Sequence, residues 1–260
     1  MSEGPIHIAS RVNPLVRELR HLAQDNNAYR KVGKVWIEGD HLCRAALARG
    51  WKPAIGVFGE STFPRFRGEF GLVASRNVIV SDALLTEISN LESPAAMGFV
   101  MELPPTPRLD PKLASVVLDR VQDAGNVGSI VRSAAAFGFG QILAIKGTAA
   151  LWAPKVLRAG MGAHFGLTLV EGLGIEDIGR LDMPLVATSS HAGDWLHRAT
   201  LSWPCAWLLG HEGQGVSAEL EALASQRIRI AQPGGEESLN VAAAAAICLH
   251  ASGASREGHS

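Results

Sequence analysis

In the second half of the chain, short aliphatic runs alternate with longer helical patterns. The runs are Val116-Val117-Leu118, Ile142-Leu143-Ala144-Ile145, Leu185-Val186-Ala187, Ala206-Trp207-Leu208-Leu209 and Ile228-Arg229-Ile230. Such alternation predicts an α/β fold with a mainly parallel sheet covered by helices. In the first half, Asn13-Pro14 opens a helical pattern through Leu15, Leu19 and Leu22, and Glu38 to Arg49 reads as a second helix closed by Gly50. Val78-Ile79-Val80 followed by Ser81 to Leu85 reads as a strand entering a short helix. This half is expected to be a small α/β domain with no evident catalytic cluster.

Pro104, Pro105, Pro107 and Pro111 crowd the segment between the halves, where such a density blocks helix and central strand. The expected organisation is therefore a first domain over 1–103, a proline-rich linker over 104–112, a second domain over 113–252 and a flexible tail over 253–260.

Composition narrows the class. Of 260 residues, 47% are hydrophobic and 19% charged, which suits a folded chain with a substantial core. A net charge of −1 gives no global field for a polyanion, so any nucleic-acid site must be local. The first segment does concentrate Arg11, Arg17, Arg20, Arg30, Lys31 and Lys34 against Glu3, Glu18 and Asp25. Phosphate contact is one reading and a solvated helix face is the commoner one. Cys43, Cys205 and Cys248 are far apart, with neither a CxxC pair nor an even framework, so a reducing cytoplasm is expected. The start lacks a signal-peptide pattern, and no apolar run approaches the ~20 residues that span a bilayer.

In an open parallel sheet, ligands sit beyond the carboxyl ends of the strands, so the loops there hold the candidate chemistry. The first runs from Leu118 to Arg132, where Asn126 is placed to cap a helix ending near Gly138 and Arg132 lies about two turns inside it. Six residues rotate by roughly 600°, so the two do not share a face by periodicity alone. The second, Gly210-His211-Glu212-Gly213-Gln214-Gly215, surrounds one carboxylate with glycines that let backbone approach a ligand. The third ends in Ser238-Leu239-Asn240-Val241, with Ser238 read as an N-cap and Asn240 in the first turn of a helix apolar all round from Val241 to Leu249. Taken singly, each loop is equally explained by ordinary caps and glycine turns.

Taken together, in order, the Asn126-x5-Arg132, Gly210-x-Glu212-Gly213 and Ser238-Leu239-Asn240-Val241 segments resemble the three motifs of the SpoU (TrmH-type) RNA 2′-O-ribose methyltransferases of the SPOUT superfamily. The similarity covers nearly the whole chain. Asn13-Pro14, Tyr29-Arg30 and Ile37-Glu38-Gly39 resemble the ribosomal-protein-like RNA-binding domain of members acting on large-subunit ribosomal RNA. The resemblance implies a trefoil knot in the second domain, a homodimer, S-adenosyl-L-methionine as cofactor and a structured RNA, preferably ribosomal, as partner, with no metal and no membrane. It assigns catalysis to Arg132, Asn126, Glu212, Ser238 and Asn240. Cofactor binding falls to Thr188, Ser189, Gly210, Glu212, Gly213, Ile230, Ala231, Ser238 and Leu239, and RNA contact to Arg132, while the charge of the first segment adds Arg11, Arg17, Arg20 and Arg30 as expected RNA-binding residues. The chain departs from the family pattern at Gly160, His211 and Ala231-Gln232.

Weaker constellations point elsewhere. Ser189, His191 and Asp194 have hydrolase residue types without a nucleophile elbow, and His164, His191, His197, His211 and His250 lack metal-ligand spacing. A nucleotide-dependent oxidoreductase would need a G-x-G-x-x-G turn that is missing. A transfer-RNA methyltransferase and a non-catalytic ribosome-assembly protein remain as alternatives.

Overall fold

The computed structural model describes residues 4–89, 94–105, 107–189, 191–234 and 238–257. Glu3 of the first segment, Thr106 of the expected linker and 258–260 of the expected tail lie outside the described residues. Two compact units emerge, one of residues 1–105 with 152–165, the other of 106–151 with 166–260.

The first unit follows the order β1 (Ile6–Ile8), α1 (Pro14–Gln24), α2 (Ala28–Val32), β2 (Lys34–Glu38), α3 (Asp40–Ala48), β3 (Pro53–Gly59), α4 (Phe63–Phe70), β4 (Arg76–Val80), α5 (Asp82–Ile88) and β5 (Met97–Glu102). Its sheet runs β1-β4-β3-β5-β2, with β5 antiparallel to both neighbours. Asn13 accepts from the Leu15 amide at 2.9 Å and Pro14 takes the first helical position, so α1 starts where the sequence placed it. Val16, Leu19, Leu22 and Ala23 share its buried face and meet Val78, Val80, Leu84, Leu85 and Ile88. Ser81 caps α5 through the Leu84 amide. One expectation fails: Glu38 ends a strand, and the helix begins at Asp40 after Gly39.

The second unit begins with β6 (Ser115–Leu118), α6 (Ala124–Ala136) and β7 (Gln141–Ile145). The chain then contributes α7 (Pro154–Gly160) to the first unit, where Trp152 and Phe165 pack on Trp51 with ring centroids 5.8 and 5.3 Å away. It returns through β8 (Thr168–Leu173), α8 (Ile175–Ile178), β9 (Leu185–Thr188), β10 (Asp194–Trp195), β11 (Ala206–Leu209), α9 (Ala218–Glu221), β12 (Gln226–Arg229) and α10 (Val241–Glu257).

These strands form one sheet, β10-β12-β9-β11-β6-β7-β8, parallel at every pairing. The five anticipated strands are present, although Ile230 lies just past the end of β12. Val117, Leu143, Leu185, Ala206 and Leu208 meet Ile178 of α8 and Leu220 of α9 on one face. Trp207, offset by one residue and so on the other face, donates its indole N–H to the buried Ser252 hydroxyl of α10 at 2.8 Å. That anchor lies in the last turns of a helix that continues through Glu257. Residues 253–257 are therefore helical, a correction to the tail expected from 253. Among the described residues, no helix is long and apolar enough to cross a membrane.

Candidate functional site

Because β12, β9, β11 and β6 are parallel neighbours, their carboxyl ends open side by side, and the loops after them meet at one end of the sheet. The loop after β11 is shaped by a close approach. A Cβ on Gly210 would overlap the backbone of Gly215 and Val216, and His211 and Gly215 exchange backbone hydrogen bonds of 3.0 and 2.8 Å. No other residue type fits at 210 without moving that loop.

Glu212 projects from this turn to the amino end of α6. Its carboxylate accepts from the Gln122 amide at 3.3 Å, the Asp123 amide at 3.1 Å and Asn126 Nδ2 at 3.1 Å. Partial burial alone would raise this carboxyl, but the hydrogen bonds from Asn126 and the surrounding amides outweigh it and hold Glu212 below the usual carboxylate range. Asn126 Oδ1 in turn accepts from Asn240 Nδ2 at 2.9 Å. The three motif residues thus form one chain of hydrogen bonds, Glu212–Asn126–Asn240, which sequence spacing alone did not show.

Two cap assignments are corrected. Asp123 caps α6, accepting from the Asn126 amide at 2.7 Å, and Asn126 sits in the first turn with its side chain free for Glu212 and Asn240. Asn240 caps α10, accepting from the Ala242 and Ala243 amides at 2.9 and 3.3 Å, while Ser238 lies before the helix.

A cleft of about 440 Å³ opens beside this chain. Thr188, Ser189, Gly210, Glu212, Gly213, Ile230, Ser238 and Leu239 line it, as eight of the nine residues assigned to cofactor binding. Ala231, the ninth, is exposed and outside the lining. Sequence reasoning assigned no ligand role to Val216, Gln232, Val241 or Ala244, which also line the cleft. Gln232 Oε1 is buried there and has no hydrogen-bond partner among the described residues.

A second support went unread in the sequence. Asp119, only 1% exposed, binds Arg120 Nε at 2.8 Å and accepts from the Ser217 amide at 2.6 Å. Burial alone would raise Asp119, yet Arg120 and the Ser217 amide hold it below the usual range. Arg120, at φ +58°, also reaches Gln214 Oε1 at 3.0 Å, so the end of β6 grips both sides of the glycine turn. An Asp-Arg pair directly after a predicted strand was the available signal.

Arg132 lies exposed on α6 and outside the cleft lining, with no hydrogen bond or ion pair among the described residues. The basic segment of the first unit is partly neutralised from a distant element. Arg11 and Arg20 both pair with Glu87 of α5, and Lys34 pairs with Glu18 at 3.0 Å. Arg17 is exposed, and Arg30 donates to the Tyr29 hydroxyl at 3.1 Å. Among the described residues no group of His, Cys, Asp and Glu is arranged to hold a metal ion.

Comparison with known proteins agrees with this geometry. A model described as the SpoU rRNA Methylase family matches residues 114–250. A Synechocystis protein named as an uncharacterized tRNA/rRNA methyltransferase is 30% identical over 252 residues, spanning 94% of this chain and 92% of that one. The Bacillus subtilis 23S rRNA (guanosine(2553)-2′-O)-methyltransferase is 29% identical, over 85% of this chain and 88% of its own. Among solved structures, an AdoMet-bound rRNA methyltransferase from Sinorhizobium meliloti superposes with a TM-score of 0.82 at 26% identity, covering 97% of both chains.

Proposed function

The chain belongs to the SpoU rRNA methylase family, and from that premise we propose that it transfers a methyl group from S-adenosyl-L-methionine to a ribose 2′-hydroxyl of ribosomal RNA. The observation that carries the reading is the Glu212–Asn126–Asn240 chain standing beside an open cleft. The cleft fits the cofactor on its own evidence: at about 440 Å³ it sets the apolar side chains of Ile228, Ile230 and Leu239 beside the polar groups of Thr188, Ser189, Glu212 and Ser238. Thr188, Ser189, Gly210, Glu212, Gly213, Ile230, Ser238 and Leu239 would hold it, with Ala231 contributing backbone. When bound, S-adenosyl-L-methionine supplies a methyl already activated by its sulfonium.

The protein's own task is then orientation, which supplies roughly 7–11 kcal/mol when reacting groups are held in line. Glu212, with three N–H donors on its oxygens and its carboxyl held low, orients Asn126 and the α6 amino end rather than accepting a proton. Asn126 passes that order to Asn240, and Ser238 completes the rim. Arg132, a guanidinium that stays charged, holds an RNA phosphate and stabilises the developing alkoxide. With no partner among the described residues, it is available to RNA.

In this reading the unit of residues 1–105 with 152–165 reads RNA, and the unit of 106–151 with 166–260, which includes all of α10, carries methyl transfer. Arg17 offers a charge with no partner among the described residues, and Arg11, Arg20 and Arg30 belong to the same basic segment. A trefoil-knotted path is supported by the sheet order β12-β9-β11-β6, which sets β9 between two later strands. A homodimer is supported by Ile247, 41% exposed on an apolar helix. Three free, buried cysteines suit a reducing cytoplasm.

The test is methyl transfer from labelled cofactor to separate pools of ribosomal and transfer RNA. Label should enter ribosomal RNA. Label confined to transfer RNA would overturn the substrate, and cofactor or RNA binding without transfer to either pool would overturn the activity.

A further inference from the structure

Arg120 leaves β6 in a left-handed backbone conformation, φ +58°, that residues with a side chain rarely adopt. The bend is held from the loop after β7. The Arg120 amide donates to the Thr148 hydroxyl at 3.1 Å, that hydroxyl donates to the Leu118 carbonyl at 2.9 Å, and Gly147 lies so close that a Cβ there would come within 3.1 Å of Arg120 Cγ. Glycine takes this φ freely, so what an arginine adds at 120 is its side chain.

That side chain is aimed by its neighbour. Nε and Nη2 meet the two carboxylate oxygens of buried Asp119 at 2.8 and 3.3 Å. A guanidinium is planar and rigid, so fixing one edge of the fork fixes the direction of the remaining arm. That arm, Nη1, donates to Gln214 Oε1 at 3.0 Å, while Asp119 accepts from the Ser217 amide at 2.6 Å. Every residue from 210 to 216 lines the cleft, whereas Arg120 stands outside the lining. Glu212 ties this turn to the amino end of α6, and Arg120 with Asp119 ties it down beyond Gly213. Gly210, Gly213 and Gly215 give such a turn wide conformational freedom when it is not tied. A turn ordered before its ligand arrives does not lose that freedom on binding, so the tie acts on affinity.

We propose that Arg120 is a positioning residue for the cofactor, holding residues 210–216 in their binding conformation through Gln214, a role that rests on the cofactor reading above. Arg120 touches neither cofactor nor RNA. It sets how tightly the cleft binds and leaves the methyl-transfer step unchanged.

Arg120→Lys, Gln214→Ala and the double variant of the full chain test this, by calorimetric binding of S-adenosylhomocysteine and by methylation of ribosomal RNA at varied S-adenosyl-L-methionine. Lysine keeps a cation against Asp119 but lacks the second arm, and Gln214→Ala cuts the same link at an exposed residue. Each single variant should bind S-adenosylhomocysteine about fivefold more weakly and raise the cofactor KM to match, with kcat retained. Because both cut one link, the double variant should also lose about fivefold rather than about 25-fold. Loss of folded protein alone lowers the apparent kcat and leaves KM and Kd unchanged, and that result would assign Arg120 to stability and overturn the proposal. Losses that multiply in the double variant overturn the route through Gln214. Should Arg120→Lys fail to fold, wild-type affinity in Gln214→Ala is by itself enough to overturn it. Wild type that does not bind S-adenosylhomocysteine overturns the cofactor reading and the proposal with it.

Discussion

Glu212 and Asp119 are the two carboxyls beside the site held below their ordinary range near ~4. A depressed folded-state pKa means that the unfolded chain binds the proton more readily, so their stabilisation is complete above the ordinary value. It is lost as pH falls through the folded values. Cofactor affinity should therefore stay flat from neutral pH to about 5 and collapse below about 4. Glu212→Gln, which replaces one acceptor oxygen by a donor facing the Asn126 amide group, should cut methylation at least tenfold at every pH while the fold persists. Affinity that rises on acidification would contradict both assignments. At Arg132, Ala should abolish transfer while cofactor binding survives. Lys keeps the charge but not the planar fork, so it should remain impaired at every pH if geometry on phosphate is what matters. Recovery of the Lys variant as pH climbs towards ~10 would show proton abstraction instead. The residue identities in the three motifs were legible in sequence, but their contacts were not. Asp119-Arg120 was passed over although it directly follows a predicted strand, because the burial of Asp119 and its reach to the Ser217 amide come from the fold.

At the level of elements, the cap errors share one cause. Asp123 and Asn126, like Ser238 and Asn240, are pairs of good cap formers two or three residues apart, and local propensity does not choose between them. The choice falls to the residue immediately before the first helical turn, Asp123 and Asn240, while Asn126 is released for Glu212 and Asn240. Asp123→Ala should cost about 1 kcal/mol of stability, read as a lower denaturant midpoint. Asn240→Ala should cost a similar amount and also methylation, because it both caps α10 and bonds Asn126. A variant that loses stability with full activity would separate the cap from the site. β6, β7, β9 and β11 were legible as apolar runs, and β12 through the isoleucines at 228 and 230. β8 was not, since Glu171 and Gly172 interrupt it, nor was the two-residue edge strand β10.

Across the whole molecule, the linear count of charges misjudged the basic segment, because Glu87 arrives from α5 to hold both Arg11 and Arg20. Arg17 is left as the clearer test: Arg17→Glu should weaken RNA binding, lower its salt slope by about one, and leave cofactor affinity unchanged. Ala244 lines the cleft, so a dimer is better probed at Ile247, where Glu should convert a dimer to a folded monomer in light scattering. A wild-type monomer at micromolar concentration would refute the dimer. The central claim is chemical, that the acceptor is a ribose 2′-oxygen, and a 2′-O-methyl group blocks alkaline cleavage of the adjoining phosphodiester. Ribosomal RNA methylated by the wild-type protein and then hydrolysed in alkali should carry all of the transferred label in one resistant dinucleotide that is missing with Arg132→Ala. Label recovered in mononucleotides, and hence on a base, would contradict the account.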